Sequence, residues 1–313
     1  MSSPLRIVVL GGTGFIGQRL VRRLADAGHQ VEVLSRHRES RRALAMTGRV
    51  SVRNLDVHDD RALRGALVGA DAAVNLVGIL HPQGAQDFRH VHVELTRRLL
   101  AACQATGVGR LHQMSALKAG QGLSDYLKTR GEADALVRAA PLAWTIYQPS
   151  AVFGLGDGLV TRFATLLRRL PVLPLPRARA RLAPTWVGDV VEAIARGIGP
   201  LDHATRGRTL ELYGPDVLTL GQIVRAIRDA MRARCRILPM PDGLGRVQAQ
   251  VAGLLPGAPF SLDQFRTLRT DAVGKTDGYA ALGIVPQAFA ARLPELLAAP
   301  PASSRVARAR RGR

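Results

Sequence analysis

Leu10-Gly11-Gly12-Thr13-Gly14-Phe15-Ile16-Gly17 decides the fold of this 313-residue chain. Ahead of it stands Ile7-Val8-Val9-Leu10, a short apolar run rich in β-branched residues, which favours a buried strand. Behind it the period changes: Phe15, Ile16, Leu20, Val21 and Leu24 fall on one helical stripe, and Gly28 stands where the helix would be capped. A second strand is expected from Gln30 to Leu34. A glycine turn between strand and helix leaves free N–H groups and the positive end of a helix dipole facing one spot, where glycines let a pyrophosphate approach the backbone. Gly11, Gly12, Thr13, Gly14, Phe15, Ile16 and Gly17 are therefore the expected nucleotide cradle. A branched side chain at Gly14 would fill that space and disfavour the turn's backbone angles.

The end of the second strand selects the nucleotide. An acidic residue about 20 positions past the glycine turn would bind the ribose hydroxyl of NAD, whereas an arginine there would accommodate the phosphate of NADP. The chain runs Val31-Glu32-Val33-Leu34-Ser35-Arg36-His37-Arg38. Glu32 falls mid-strand, too early, and Arg36 falls at the strand end. A guanidinium pairs with phosphate through parallel charged hydrogen bonds, and a carboxylate would repel it. NADP(H) is the preferred cofactor, with NAD(H) the alternative.

Strands and helices alternate onward. A third strand is expected at Val50 to Asp56, a helix at Asp60 to Leu67, and a fourth strand at Ala72 to Gly78. A long helix, Phe88 to Ala105, turns Val91, Leu95, Leu99 and Ala102 inward. A fifth strand at Leu111 to Ser115, a helix at Asp125 to Arg138 capped by Ser124, and a sixth strand at Trp144 to Gln148, stopped by Pro149, complete the half. This alternation implies an α/β fold: a Rossmann-type, doubly wound parallel sheet with helices on both faces and a smaller C-terminal lobe. Beyond it come a helix from Leu159 to Leu170, an extended loop Pro171 to Pro176, and a segment from Thr185 entering a helix that ends at Ile198. A strand from Leu210 to Tyr213 and a helix from Thr219 to Met231 follow. The expected division is a nucleotide domain over 1–155 completed by 184–213, a lobe from 156–183 and 214–300, and a basic, disordered tail over 301–313. Gly243 to Leu255 is expected to form an amphipathic helix packed on the lobe or against a membrane or partner.

Composition narrows the partners. The formal charge is +20, but lysine occurs only at Lys118, Lys128 and Lys275, so the excess is arginine scattered along the chain. Aromatic residues make up 4%, too few to give stacking platforms for bases, so no specific nucleic acid is expected. Cys103 and Cys235 have no metal-ligand spacing, and His90 and His92 are two apart and point to different faces, so no metal is expected. With no leader before the first strand and no apolar run of about 18–20 residues, the expected location is cytoplasmic, with contact to an inner membrane at most peripheral.

Gly11-x-x-Gly14-x-x-Gly17, Ser35-Arg36, Val74-Asn75-Leu76-Val77-Gly78, Tyr126-x-x-x-Arg130, Gln148-Pro149-Ser150-x-Val152-Phe153-Gly154 and Pro184-Thr185-Trp186-Val187-x-Asp189-Val190 form one combination. It resembles the atypical branch of the short-chain dehydrogenase/reductase superfamily, which includes the nucleotide-binding accessory subunit of mitochondrial complex I (subunit nine of its alpha subcomplex) and bacterial relatives. The resemblance runs from about Leu5 to Tyr213. It implies that Asp56 and Val57 contact adenine, that Asn75, Leu76, Val77 and Gly78 line the ribose, and that Pro149, Ser150 and Phe153 flank the nicotinamide.

Active members of the superfamily use a tyrosine as acid/base and a lysine one helical turn later, because a free phenol with a pKa of ~10 is a poor base at neutral pH. Here Tyr126 is followed by Arg130, and Lys128, two positions along, points elsewhere. Arg130 keeps the charge but not the geometry of an ammonium. Ser115 stands near the superfamily's polarising hydroxyl. Two classes follow. One is an NADP(H)-binding scaffold or sensor with little turnover, associated with respiratory complex I or quinone-related proteins. The other is an oxidoreductase, epimerase or dehydratase acting through Tyr126, Ser115 and Arg130 on a carbonyl, alcohol or nucleotide sugar.

Overall fold

The computed structural model describes residues 3–36, 48–82, 87–199, 202–245 and 261–298. Its centre is β1 (Arg6–Leu10), whose Ile7 to Leu10 have no exposed surface. A strand apolar on both faces suits the middle of a parallel sheet, where helices cover each side. β1 pairs in parallel with β2 (Gln30–Ser35) on one flank and β4 (Ala72–Asn75) on the other. β3 (Val50–Asn54) continues beyond β2. Beyond β4 lie β5 (Arg110–Met114), β6 (Ala143–Pro149) and β11 (Arg208–Leu212). The result is a seven-stranded, wholly parallel sheet in the order β11-β6-β5-β4-β1-β2-β3. Chain direction across the sheet reverses between β1 and β4, which opens a crevice at their carboxyl ends, where such sheets bind ligands.

Short strands β7 (Val152–Phe153), β9 (Arg181–Leu182), β10 (Thr185–Trp186) and β12 (Leu218–Thr219) and short helices α7 (Asp202–Thr205) and α9 (Leu262–Thr267) stand outside the sheet, whose two faces are covered by the longer helices. Leu20, Val21 and Leu24 of α1 (Gly17–Asp26) and Val190 and Ile194 of α6 (Val187–Ile198) build one core. Gly28 and His29 donate back to the carbonyls of Ala25 and Leu24, closing α1 where the sequence places its cap. The opposite core takes Leu63 and Leu67 of α2 (Asp60–Leu67), Leu95 and Leu99 of α3 (Leu95–Thr106), and Val137 of α4 (Asp125–Ala139). Ser124 caps α4 by accepting the Leu127 N–H. A third core joins Phe163 and Leu167 of α5 (Val160–Arg169), Ile223 and Val224 of α8 (Leu220–Ala230), and Phe289 and Leu293 of α10 (Phe289–Ala298).

Several expectations need correction. Pro171 to Pro176 is not a loop: β8 (Val172–Pro176) pairs in parallel with β13 (Arg236–Met240), a strand with no expectation in the sequence. Proline cannot donate to a ladder, but a two-stranded ribbon consists only of edges, where that loss is tolerated. β3 stops at Asn54, leaving Asp56 in a turn. β4 stops at Asn75, because the Asn75 side-chain oxygen takes the Val77 N–H and turns the chain. The long helix opens as a π-helical stretch, Arg89–Glu94, with Leu95 N–H bonded to the His90 carbonyl. The Thr96 hydroxyl caps the His92 carbonyl inside the widened turn. The tail 301–313 and most of Gly243 to Leu255 lie outside the described residues. Among the described residues, no helix is long and apolar enough to cross a membrane.

Candidate cofactor site

The glycine turn is shaped by contacts that side chains would break. Gly11 adopts φ +76°, and its carbonyl accepts the Gly14 N–H at 3.0 Å. A Cβ on Gly17 would lie 2.3 Å from that carbonyl oxygen, so α1 can start this close to β1 only with glycine there. Gly14 differs. Its backbone is outside the left-handed region, and a Cβ would meet only the Gly11 oxygen, at 3.3 Å. The expected backbone-angle constraint at Gly14 is therefore absent. Instead Gly14 faces open space. No side chain caps the first turn of α1, which suits an anion as its partner.

That open space is a cleft of about 240 Å³ at the carboxyl ends of β1, β2 and β4. Gly11, Thr13 and Gly14 form its floor, Ser35 and Arg36 one end, and Leu76 to Ile79 the opposite wall. Val57 lines it, while Asp56 does not: the Asp56 carboxylate accepts the His58 N–H at 3.1 Å and shapes the turn. His58 is a lining residue that the sequence reading missed. Its ring stacks on His90 with centroids 4.0 Å apart. Burial, then His90, holds His58 below the usual histidine range, with Arg36 among the cations acting on it. The signal that could have found it is position, since it follows the carboxyl end of β3. Asn75 is buried and donates to Gln113 at 3.0 Å, so it supports the wall from behind.

Tyr126 and Arg130 stand one turn apart on α4, beside the exit of β4. The half-buried Tyr126 ring meets Phe88 and His92 edge-on, with centroids 6.0 and 5.6 Å away. Arg130 is buried. Its Nη1 donates to the Met114 carbonyl at 2.9 Å and the Val77 carbonyl at 3.4 Å, and its guanidinium carbon lies 5.7 Å from the Tyr126 ring centre. Its Nη2 occupies the place where a Cβ on Gly78 would stand, so a side chain there would displace the guanidinium. The Ser115 hydroxyl donates to the buried Asp134 carboxylate at 2.9 Å, and Gln148 donates to the same oxygen at 2.8 Å. Burial nonetheless pushes the Asp134 carboxyl up.

His92, also missed, ties these parts together. The Thr129 hydroxyl donates to the Asp125 carbonyl and so accepts from His92 Nδ1, 2.9 Å away. His92 Nε2 then accepts the Ile79 N–H at 3.4 Å, fixing the cleft wall. Burial, reinforced by Arg130, lowers its pKa to about 2, so the ring is neutral.

The remaining candidate residues are not in the lining of this cleft. Phe153 has no exposed surface and packs edge-on against Phe289 at 4.9 Å in the third core, so its ring does not reach the cleft. The Ser150 hydroxyl donates to the Ala272 carbonyl at 2.9 Å, and the Pro149 carbonyl accepts the Leu117 N–H. Phe15 and Ile16 pack against the α1/α6 core, with Arg19 4.9 Å from the Phe15 ring centre.

The cradle, the bare helix start and the cleft at the switch point fit a dinucleotide. Residues 11–165 match the family model described as NAD(P)H-binding, and the chain carries an NAD(P)-binding domain of Rossmann type. Its relatives are consistent with the atypical short-chain dehydrogenase/reductase branch. It is 29% identical over 286 residues to the NADH dehydrogenase [ubiquinone] 1 alpha subcomplex subunit 9, mitochondrial, of Arabidopsis thaliana, covering 86% of this chain and 71% of that protein. It is 28% identical to the ceramide reductase of Caulobacter vibrioides, over 75% of this chain and 74% of that one. An NADPH-dependent quinone oxidoreductase from Escherichia coli, solved with NADPH, superposes with a TM-score of 0.75 at 18% identity, over 93% of this chain and 99% of that one.

Proposed function

We propose that the protein is an NADP(H)-binding scaffold or sensor that holds its cofactor and turns it over little. One observation carries this reading: the two groups that would assist Tyr126 are engaged with the protein itself, Arg130 with main-chain carbonyls and Ser115 with Asp134. When bound, the reduced dinucleotide supplies a hydride. The chain's own part is to hold the pyrophosphate at Gly11 to Gly17, the ribose phosphate at Arg36, adenine beside Val57 and His58, and the nicotinamide half beside Leu76 to Gly78. The relative named as an NADH dehydrogenase [ubiquinone] subunit supports association with respiratory complex I or quinone-related proteins; a cytoplasmic place, with peripheral contact to an inner membrane, is part of the same proposal.

Arg36 sets the preference for the phosphorylated cofactor. Arg36→Ala should weaken NADPH binding by roughly ten- to a hundredfold, equivalent to about 1.5–3 kcal/mol for a charged hydrogen bond, and leave NADH almost unchanged. Titration by nicotinamide fluorescence checks it. Equal losses for both cofactors, or native preference for NADH, would remove Arg36 from this role.

A second reading has its own support. Among the described residues nothing bonds the half-buried Tyr126 hydroxyl, which leaves it available to a carbonyl, alcohol or nucleotide-sugar substrate of an oxidoreductase, epimerase or dehydratase. On the scaffold reading, Tyr126→Phe keeps the ring contacts and loses one hydroxyl. NADPH affinity should then change by no more than about tenfold, the scale of a neutral hydrogen bond.

A further inference from the structure

The β8–β13 ribbon presents an unusual surface. Parallel strands are ordinarily covered on both faces. Here Leu173 and Leu175 of β8 turn into the third core, whereas Val172, Pro174, Arg236 and Leu238 share the opposite face, with Val172 beside Arg236 and Pro174 beside Leu238 in register. Leu238 is 53% exposed, and Val172 and Leu170 are each 38% exposed. Five exposed arginines lie on the segments leading into the ribbon's two strands: Arg168 and Arg169 end α5, Arg232 and Arg234 precede β13, and Arg236 opens it. Residues 160–176 and 230–240 contain no acidic residue. Among the described residues no carboxylate pairs with any of the five arginines.

Arg168 and Arg234 also line an open cavity of about 650 Å³, together with Leu167, Met231 and Leu297. The described chain ends at Ala298, which lines the same cavity. The sequence that follows adds Arg305, Arg308, Arg310, Arg311 and Arg313 without an acid.

We propose that this face docks on an anionic phospholipid bilayer, the arginines meeting headgroup phosphates and Leu170, Val172 and Leu238 entering the acyl boundary. Exposed aliphatics flanked along the chain by cations match the layering of a membrane surface, where each basic residue adds to binding and the apolar residues anchor it. A second copy of the chain fits poorly, because an isologous contact would press the arginine sets together. Single-stranded nucleic acid gains nothing from aliphatic side chains, and none of these residues is aromatic.

Cosedimentation of the full chain tests the proposal, with vesicles of phosphatidylcholine alone or with added phosphatidylglycerol. Binding is expected to the second kind only, and to fall as salt shortens the screening length. Arg168→Ala with Arg234→Ala should weaken it about 25-fold, at roughly fivefold per arginine. Leu238→Asp should weaken it with all arginines present. Circular dichroism melting of each variant separates lost docking from lost folding. Three outcomes would overturn the proposal. One is no preference for the anionic vesicles. Another is full binding by the Leu238→Asp and Arg168→Ala/Arg234→Ala variants together with loss on replacing the arginines after residue 304. The last is a solution dimer that Leu238→Asp dissociates and vesicles do not bind.

Discussion

Gly14→Val should give a folded protein that no longer takes up NADPH. Gly14 lines the cleft floor, its backbone is outside the left-handed region, and an added Cβ would meet only the Gly11 oxygen at 3.3 Å. The fold therefore bears the substitution with a small adjustment, while the branched side chain occupies the space of the pyrophosphate. Affinity should fall at least a hundredfold, or about 2.7 kcal/mol. Gly17→Val makes the contrast: its Cβ would stand 2.3 Å from the Gly11 carbonyl oxygen, so this variant should fail in melting experiments before binding is measured. A Gly14→Val protein that melts normally and binds NADPH normally would place the nucleotide elsewhere.

Acid should weaken the fold through two histidines. Burial lowers His92 to about 2, with Arg130 adding to the effect, and burial lowers His112 to about 4. A group whose folded pKa is depressed contributes stability that is present above its unfolded pKa and lost as pH falls. The unfolded chain takes up protons below about pH 6.5 that the folded chain refuses. From pH 6.5 to 5 the two together should remove about 3 kcal/mol. Asp134 and Asp157, whose carboxyls burial pushes up, act in the opposite direction, so the comparison must isolate the histidines. Denaturant melts of the native chain and of a His92→Gln/His112→Gln variant across this window should differ in pH slope by that amount. Parallel slopes would show that neither ring is neutral in the native state for the reason given.

The nucleotide half was legible because its elements announce themselves locally. Four apolar residues before a glycine turn, a helical stripe after it and Arg36 at a strand end each encode burial or charge without reference to distant partners. The same holds for Ser124, which caps α4 as its position implies. What escaped depends on partners far along the chain. β8 is a strand only because Arg236–Met240 lies beside it, and its prolines argue locally against pairing. His92 gains its role from Thr129 and Ile79, and Ser115 is engaged by Asp134 two turns beyond Tyr126 on the same helix. Phe153 belongs to a motif that implies nicotinamide contact, yet the lobe formed by α5, α8 and α10 takes its ring into a core.

The fate of bound NADPH decides whether the protein holds its cofactor without turning it over. Purified protein loaded with NADPH should be offered aldehydes, ketones, quinones and nucleotide sugars while nicotinamide absorbance is followed. The scaffold reading predicts that absorbance persists, at the same slow drift in the native protein and in Tyr126→Phe. An oxidation that Tyr126→Phe slows a hundredfold or more, with NADPH affinity unchanged, would contradict it, since a loss of about 2.7 kcal/mol of transition-state stabilisation would mark the Tyr126 hydroxyl as a working acid/base.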